Sequence, residues 1–267
     1  MKQIPNIFTL LNLFFGCIAI VLIMQSGLMP VVSAEGEQMV VLPERMYWAS
    51  LFIGIAAVID FLDGFVARLL KATSDMGKQL DSLADVVSFG VAPALIIYQF
   101  LRLSFARQED GLDISTAWLL PAFIIPCAGA YRLARYNLDT TPSYGFKGVP
   151  IPAAGLLVAS FPLIYWYTNQ PWVDSLLLSK WFWYAVILII SYLMVSTLPM
   201  MALKSSERGF KSNMPKYALL AAAVICGILF QWLAVPLIFI LYIVLSLASP
   251  LADKVRYADK DGLAKNP

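Results

Sequence analysis

The sequence predicts an all-α, polytopic membrane bundle of about eight transmembrane helices with both termini cytosolic, on three observations. First, 60% of the 267 residues are hydrophobic and the mean hydropathy is +0.75. That is enough apolar sequence for roughly eight segments of the ~20 residues that cross a hydrocarbon core. Second, only 13% of residues are charged, about half the usual share, which excludes a soluble globular enzyme, a disordered chain and a coiled coil. Third, the few charges are partitioned along the chain as membrane insertion requires.

The apolar runs fall near residues 7–28, 46–70, 79–101, 116–136, 152–168, 181–202, 217–231 and 235–250. Lys2 precedes the first run and Val32-Ser33-Ala34 mimics a small-residue cleavage site, but the run is longer than a signal-peptide core, so a retained helix is expected. The last two runs are short. Lys216 and Lys254 flank the pair, and cations at both ends favour a hairpin over one bent segment. With the N-terminus in the cytosol, Lys2, Arg68, Lys71, Lys78, Arg132, Arg135, Lys147, Lys204, Arg208, Lys211, Lys216, Lys254, Arg256, Lys260 and Lys265 lie inside, fifteen of the 19 basic residues. Arg45, Arg102, Arg107 and Lys180 fall outside, beside Glu35, Glu37, Glu44, Glu109, Asp110, Asp113 and Asp174. This satisfies the positive-inside rule. Tyr47, Trp48, Trp118, Trp166, Trp172, Trp181 and Trp183 lie near the predicted interfaces and read as bilayer anchors.

Histidine is absent, which removes imidazole metal ligands and any Ser-His or Cys-His pair. Proton transfer falls to carboxylates, Lys or Tyr. Cys17, Cys127 and Cys226 lie in apolar stretches without CxxC spacing and read as small buried hydrophobes, with no disulfide or zinc site. A net charge of +2 gives no reason to expect a nucleic-acid partner.

One region breaks the apolar pattern. Asp60, Asp63, Gly64, Ala67 and Arg68 recur at helical spacing on one face, and Asp81, Asp85 and Ser88 do so on the next helix. A short turn containing Gly77 precedes the second set, so the two helices are expected to be antiparallel neighbours whose four carboxylates converge. Converging carboxylates repel one another unless a cation lies between them. Oxygen-only ligands suit Mg²⁺ or Mn²⁺ rather than zinc, and four carboxylates can bridge two ions. Gly64 leaves the helix backbone open to a ligand, and Arg68 offers a planar fork to a phosphate. Charges on one face of a membrane helix are costly and mark function, whereas Asp75 reads as an ordinary solvated helix-end charge. The ensemble suits an activated phosphate ester.

The spacing Asp60-x2-Asp63-Gly64-x2-Ala67-Arg68-x8-Gly77-x3-Asp81-x3-Asp85 resembles the motif of the CDP-alcohol phosphotransferases at every fixed position. The resemblance implies two metal ions, one among Asp60, Asp63 and Asp81 and the other among Asp60, Asp81 and Asp85. It implies that Asp85 takes the proton of the acceptor hydroxyl. It also implies that Gly64, Arg68 and Ser74 contact the CDP-linked lipid, in a site that Ala67 and Gly77 share. Four flanking stretches, 4–12, 83–94, 131–137 and 146–154, are similar to the serine-accepting branch of that family. They imply CDP-diacylglycerol and L-serine as substrates, a membrane-lipid setting and a homodimer. Residues 1–267 are read as one membrane domain, with about 1–168 as catalytic core and about 169–267 as added helices.

Asn6 and Thr9, at the start of the first helix, either contact nucleotide or phosphate or serve as helix caps. Arg132, Arg135 and Lys147 share the cytosolic side with the carboxylates and are candidates for serine's carboxylate or a phosphate, against simple positive-inside anchoring. The basic loop from Lys204 to Lys216 reads as an anionic-lipid contact. Two alternatives stay open: the same chemistry with glycerol 3-phosphate or an inositol phosphate as acceptor, and a divalent-cation transporter built on the intramembrane carboxylates.

Overall fold

The computed structural model describes residues 3–32, 38–70, 72, 74–108, 114–138, 146–168, 170–201 and 210–248. Helix α1 (Ile4–Met24) has Pro5 in its first turn, where a missing N–H is harmless. The following residues form a hairpin of β1 (Met29–Val32) and β2 (Gln38–Val41), and α2 (Arg45–Leu69) returns along α1. Helix α3 (Asp75–Asp85) is capped by Ser74, whose Oγ accepts from the Gly77 N–H at 3.0 Å. It continues through a π-helical segment, Val86–Val91, into α4 (Ala92–Ala106). Then come α5 (Ile124–Leu138), β3 (Phe146–Lys147) and α6 (Ile151–Tyr167). Short α7 (Pro171–Leu177) meets α8 (Lys180–Val195) at a 69° bend. Beyond β4 (Pro199–Met200) lie α9 (Phe210–Phe230) and α10 (Ala234–Ala248).

Each of the eight expected apolar runs coincides with a helix, but fewer clear the length of a bilayer crossing. Among the described residues five helical stretches are long and apolar enough, six if the bent pair α7 and α8 makes one span. Helix α6 stops at 17 residues, and Lys216–Ala248 of α9 and α10 counts as one span by length alone, with a tight turn at Gln231–Leu233 inside it. Within that stretch Gln231 takes a positive φ of 49° and α9 packs along α10, so the chain turns there. The expected run 181–202 is too long by several residues. Helix α8 ends at Val195, ahead of Pro199, and Pro199–Met200 instead pairs antiparallel with Phe146–Lys147. Helix α9 starts earlier than the expected 217, its first turns being polar rather than apolar.

Polar contacts sort the helix ends into two sets. At one end, Thr9 meets Asp63, Asn137 donates to the Ser82 Oγ at 2.9 Å, Arg135 donates to the carbonyls of Val195 and Ser196, and Tyr242 donates to the Met201 carbonyl. At the other, Arg107 reaches the Val40 carbonyl, Lys180 donates to Gln108 and Tyr184 donates to the Trp118 carbonyl. Seven of the described cations follow this division, Arg68, Lys78, Arg132, Arg135 and Lys147 lying with the first set and Arg107 and Lys180 with the second. Lys2, Lys71, Lys204, Arg208 and the cations beyond residue 250 lie outside the described residues.

Two sequence-based expectations about packing need correction. Trp183 is no bilayer anchor. It is fully buried, stacked on Phe100 at 4.5 Å, with its indole N–H donated to the Leu177 carbonyl at 2.7 Å. Trp48, Trp118, Trp172 and Trp181 do face outward. Cys17 and Cys127 are exposed rather than buried, because an apolar residue on a membrane helix can face lipid as readily as protein.

The π-helical segment sits where three helices cross. A Cβ on Gly16 of α1 would fall 2.9 Å from the Ser88 Cα, and one on Gly155 of α6 would fall 2.9 Å from the Phe89 Cα. Gly90 lies against Pro126 of α5, where an added Cβ would stand 3.2 Å from the ring. Small residues permit this close backbone approach. Gly16→Val is therefore expected to destabilise the fold by about 1–3 kcal/mol, the usual range for overpacking, seen as a lower melting midpoint in detergent. Gly54→Ala, with open space around it, leaves that midpoint at or above the wild-type value.

Candidate active site

The carboxylates gather where the C-terminal half of α2 faces α3. Ligand oxygens of Asp60, Asp63 and Asp81 all lie within 4.8 Å of one another. Helices α2 and α3 scarcely touch through their backbones. Instead α1 packs against both, so their closeness at this point is set from outside the pair. Asp63 is buried, and its Oδ2 accepts from the Thr9 hydroxyl at 2.7 Å. The Asp60 side chain reaches both Asp81 and Asp85. Asp85, one turn beyond Asp81, is 6% exposed, and its Oδ1 has no partner among the described residues.

This donor set fits a divalent cation. Oxygens spaced this closely can share an ion coordinated at about 2.0–2.6 Å, and an all-carboxylate set in a chain without histidine favours a hard ion. Three of the four expected ligands thus meet within reach of one ion, while Asp85 adjoins them through Asp60 and lies deeper.

A cleft of about 190 Å³ opens beside the cluster. Asn6, Thr9, Gly64, Ala67, Arg68, Ser74 and Gly77 border it, together with Asp63 and Asp81. Arg68 is exposed, one turn from Gly64, where the nearest neighbour of an added Cβ would be the guanidinium at 3.4 Å. Gly77 lies so close to Asn6 and Ser74 that an added Cβ would stand 3.1 Å from each side-chain oxygen. Asp75 is a solvated charge as expected, 3.6 Å from exposed Lys78.

The three candidate acceptor cations separate. Arg135 is engaged by backbone, its guanidinium donating to the Val195 carbonyl at 2.7 Å and the Ser196 carbonyl at 3.0 Å, a favourable place for a cation at the end of a helix. With Lys147, Tyr131 and Thr197 it borders a second, wider cleft of about 470 Å³. Arg132 belongs to neither cleft. It is 5% exposed, within the field of Asp85, and its Nε has no partner among the described residues. Sequence reasoning passed over Asn12 and the role of Ser88, which donates to the Asn12 carbonyl at 3.1 Å. The available signal was a polar residue three positions after Thr9 in an otherwise apolar helix.

The CDP-alcohol phosphatidyltransferase family model matches residues 2–181, which include every carboxylate of the cluster. The chain belongs to that family. Three relatives carry the name CDP-diacylglycerol–serine O-phosphatidyltransferase. One from Helicobacter pylori (strain J99) is 38% identical over 156 residues, covering 58% of this chain and 54% of the relative. One from Mycobacterium bovis is 34% identical over 206 residues, covering 73% and 65%, and one from Bacillus subtilis is 37% identical over 119 residues, covering 44% and 62%. The chain thus spans between 54% and 65% of the length of these curated relatives. The family uses divalent metal ions, in keeping with the donor set.

Because the Thr9 hydroxyl orients Asp63, Thr9→Val is expected to weaken divalent-cation binding about tenfold, as loss of a ligand's supporting hydrogen bond commonly does. Titration of the purified protein with Mn²⁺, followed by electron paramagnetic resonance, measures this directly. Affinity equal to wild type would show that Thr9 does not position the ligand.

Proposed function

We propose that the protein is a membrane phosphatidyltransferase that moves the phosphatidyl group of CDP-diacylglycerol to L-serine, yielding phosphatidylserine and CMP. The single observation that carries this reading is the convergence of Asp60, Asp63 and Asp81 within 4.8 Å beside a cleft bordered by Arg68, in a chain of this family. The choice of serine is supported by the names of the relatives.

Two divalent ions, Mg²⁺ or Mn²⁺, held by Asp60, Asp63 and Asp81 and by Asp60, Asp81 and Asp85, would offset the diphosphate charge and stabilise the leaving CMP. Arg68 grips a phosphate through its planar guanidinium, and Gly64 leaves room for that approach. Asn6, Ser74 and Gly77, with Ala67, line the path of the cytidine diphosphate, while Thr9 holds Asp63 in place. Asp85 accepts the proton of the serine hydroxyl as its oxygen attacks the lipid-side phosphorus. The bond from that phosphorus to the bridging oxygen breaks, and CMP departs with the electron pair. The transfer is a direct displacement, since the cleft presents no histidine-activated nucleophile. Arg132, Arg135 and Lys147 supply positive charge for the acceptor's carboxylate or a substrate phosphate.

The reading places the cluster on the cytosolic face of the cell's inner membrane, supported by the segregation of cations to the same end of the bundle. Residues to about 168 act as the catalytic core, and later helices as scaffold. Assembly as a homodimer follows from the family resemblance alone.

Purified protein with CDP-diacylglycerol and Mg²⁺ or Mn²⁺ should release CMP when offered L-serine, and not when offered glycerol 3-phosphate or an inositol phosphate. CMP release with only a phosphorylated acceptor would replace serine in the scheme. Asp85→Asn should lose turnover by at least about a thousandfold, within the range general-base catalysis contributes, while CDP-diacylglycerol binding is retained. Wild-type turnover in that variant would remove Asp85 as the base.

A further inference from the structure

The chain leaving α8, residues 193–201, is held by three elements. Arg135 of α5 donates to the carbonyls of Val195 and Ser196. Beside β3, the Gly148 N–H donates to the Leu198 carbonyl at 2.9 Å and the Val149 N–H to the Leu193 carbonyl at 3.0 Å. Helix α10 supplies the third hold. Its Tyr242 hydroxyl donates to the Met201 carbonyl at 3.2 Å, and its Ser246 Oγ accepts from the Met201 N–H at 3.2 Å. Met201 is buried and follows the last paired residue of β4, so its backbone groups need partners from outside the ribbon. Tyr242 and Ser246, one turn apart and both buried, are the two side chains of α10 that carry a polar atom. Both engage that one residue.

These holds meet at the wider cleft of about 470 Å³. Helix α5 contributes Tyr131 and Arg135 to its lining, β3 contributes Lys147, and the chain leaving α8 contributes Thr197. A ribbon of two residue pairs, Phe146 with Met200 and Lys147 with Pro199, is too short to hold itself. Nor can β3 shift without its partner. Gly148, at a φ of 74°, packs so tightly that an added Cβ would fall 2.5 Å from the Met194 carbonyl oxygen and 2.8 Å from that of Ser196. Lys147 therefore stands where Met201 is pinned. We propose that Tyr242 and Ser246 are positioning residues for acceptor binding, which clamp Met201 and so fix the ribbon that presents Lys147 to the cleft. The inference rests on the reading above that Arg135 and Lys147 supply charge for the acceptor's anionic group. It gives α10, which lies beyond the family match at residues 2–181, a part in holding the acceptor.

The test compares Tyr242→Phe, Ser246→Ala and the double variant with wild type in detergent, with divalent metal present. CMP release is measured against serine and against CDP-diacylglycerol separately. In the double variant the serine KM should rise about tenfold, well inside what a misplacement of ~1 Å can cost, with kcat and the CDP-diacylglycerol KM within twofold of wild type. Leu247→Ala, on the exposed face of the same helix, should leave all three unchanged. Hydrogen exchange at the Gly148 and Val149 amides should quicken in the double variant by about tenfold or more, as local opening predicts. A serine KM within twofold of wild type, an equal change in both KM values, or wild-type exchange at those amides would overturn the proposal. Should the double variant fail to fold, the single variants decide by the same ratios. Lys147→Met separates the two readings. An unchanged serine KM in that variant removes the cleft as acceptor site and the proposal with it, whereas a raised one, with the α10 variants at wild type, overturns the clamp alone. If wild type accepts glycerol 3-phosphate and not serine, the serine assignment falls separately, and the same ratios are read on that acceptor.

Discussion

Three carboxylates held within 4.8 Å of one another in a chain that is 60% hydrophobic set the terms for the rest of the structure. Like charges at that spacing push their helices apart, and α2 and α3 make little backbone contact with which to resist. The resistance comes from α1, which lies along α2, packs on α3 and fixes Asp63 through the Thr9 hydroxyl. Further along the same helix, Gly16 allows the backbone at Ser88 to approach closely. One face of α1 thus does two jobs in succession, orienting a metal ligand near its start and locking the span that carries Asp85 a few turns on.

Segregation of charge gives that arrangement its direction. The contacts of Asn137 with Ser82 and of Arg135 with the end of α8 tie α3, α5 and α8 together at the end where the carboxylates lie, and that of Tyr242 with Met201 ties α10 to the segment after β4. The opposite end is closed by Lys180 with Gln108 and by Arg107 with the hairpin strand. A lipid-anchored donor would keep its tails among the exposed apolar faces of the helices and bring only its diphosphate to the polar end.

Much of this was legible in the sequence, for physical reasons. Hydropathy located the long apolar helices because membrane spans are defined by composition, though not the short α7 between two runs, and the aspartates stood out because helical spacing fixes which residues share a face. Less visible were features that depend on which side of an apolar helix meets protein. Trp183 and Cys17 are both apolar residues within expected spans, yet one is core and the other faces outward. The three basic residues near the fourth span were indistinguishable as cations. Only the packing shows Arg135 engaged by two carbonyls and Arg132 buried near Asp85. Asn12 was passed over because a single amide in an apolar run carries little weight until its neighbours are known.

The π-helical turn at Val86–Val91 has a consequence for how one continuous span serves two environments. An inserted residue rotates everything beyond it by about 100° about the helix axis. Before the turn, α3 buries only Ala84 and Asp85; after it, α4 buries eleven of its 15 residues. The insertion uncouples the azimuth of the reactive head from that of the greasy shaft. Asp85 can thus be aimed by the needs of chemistry while the shaft is aimed by the needs of packing, and neither orientation dictates the other.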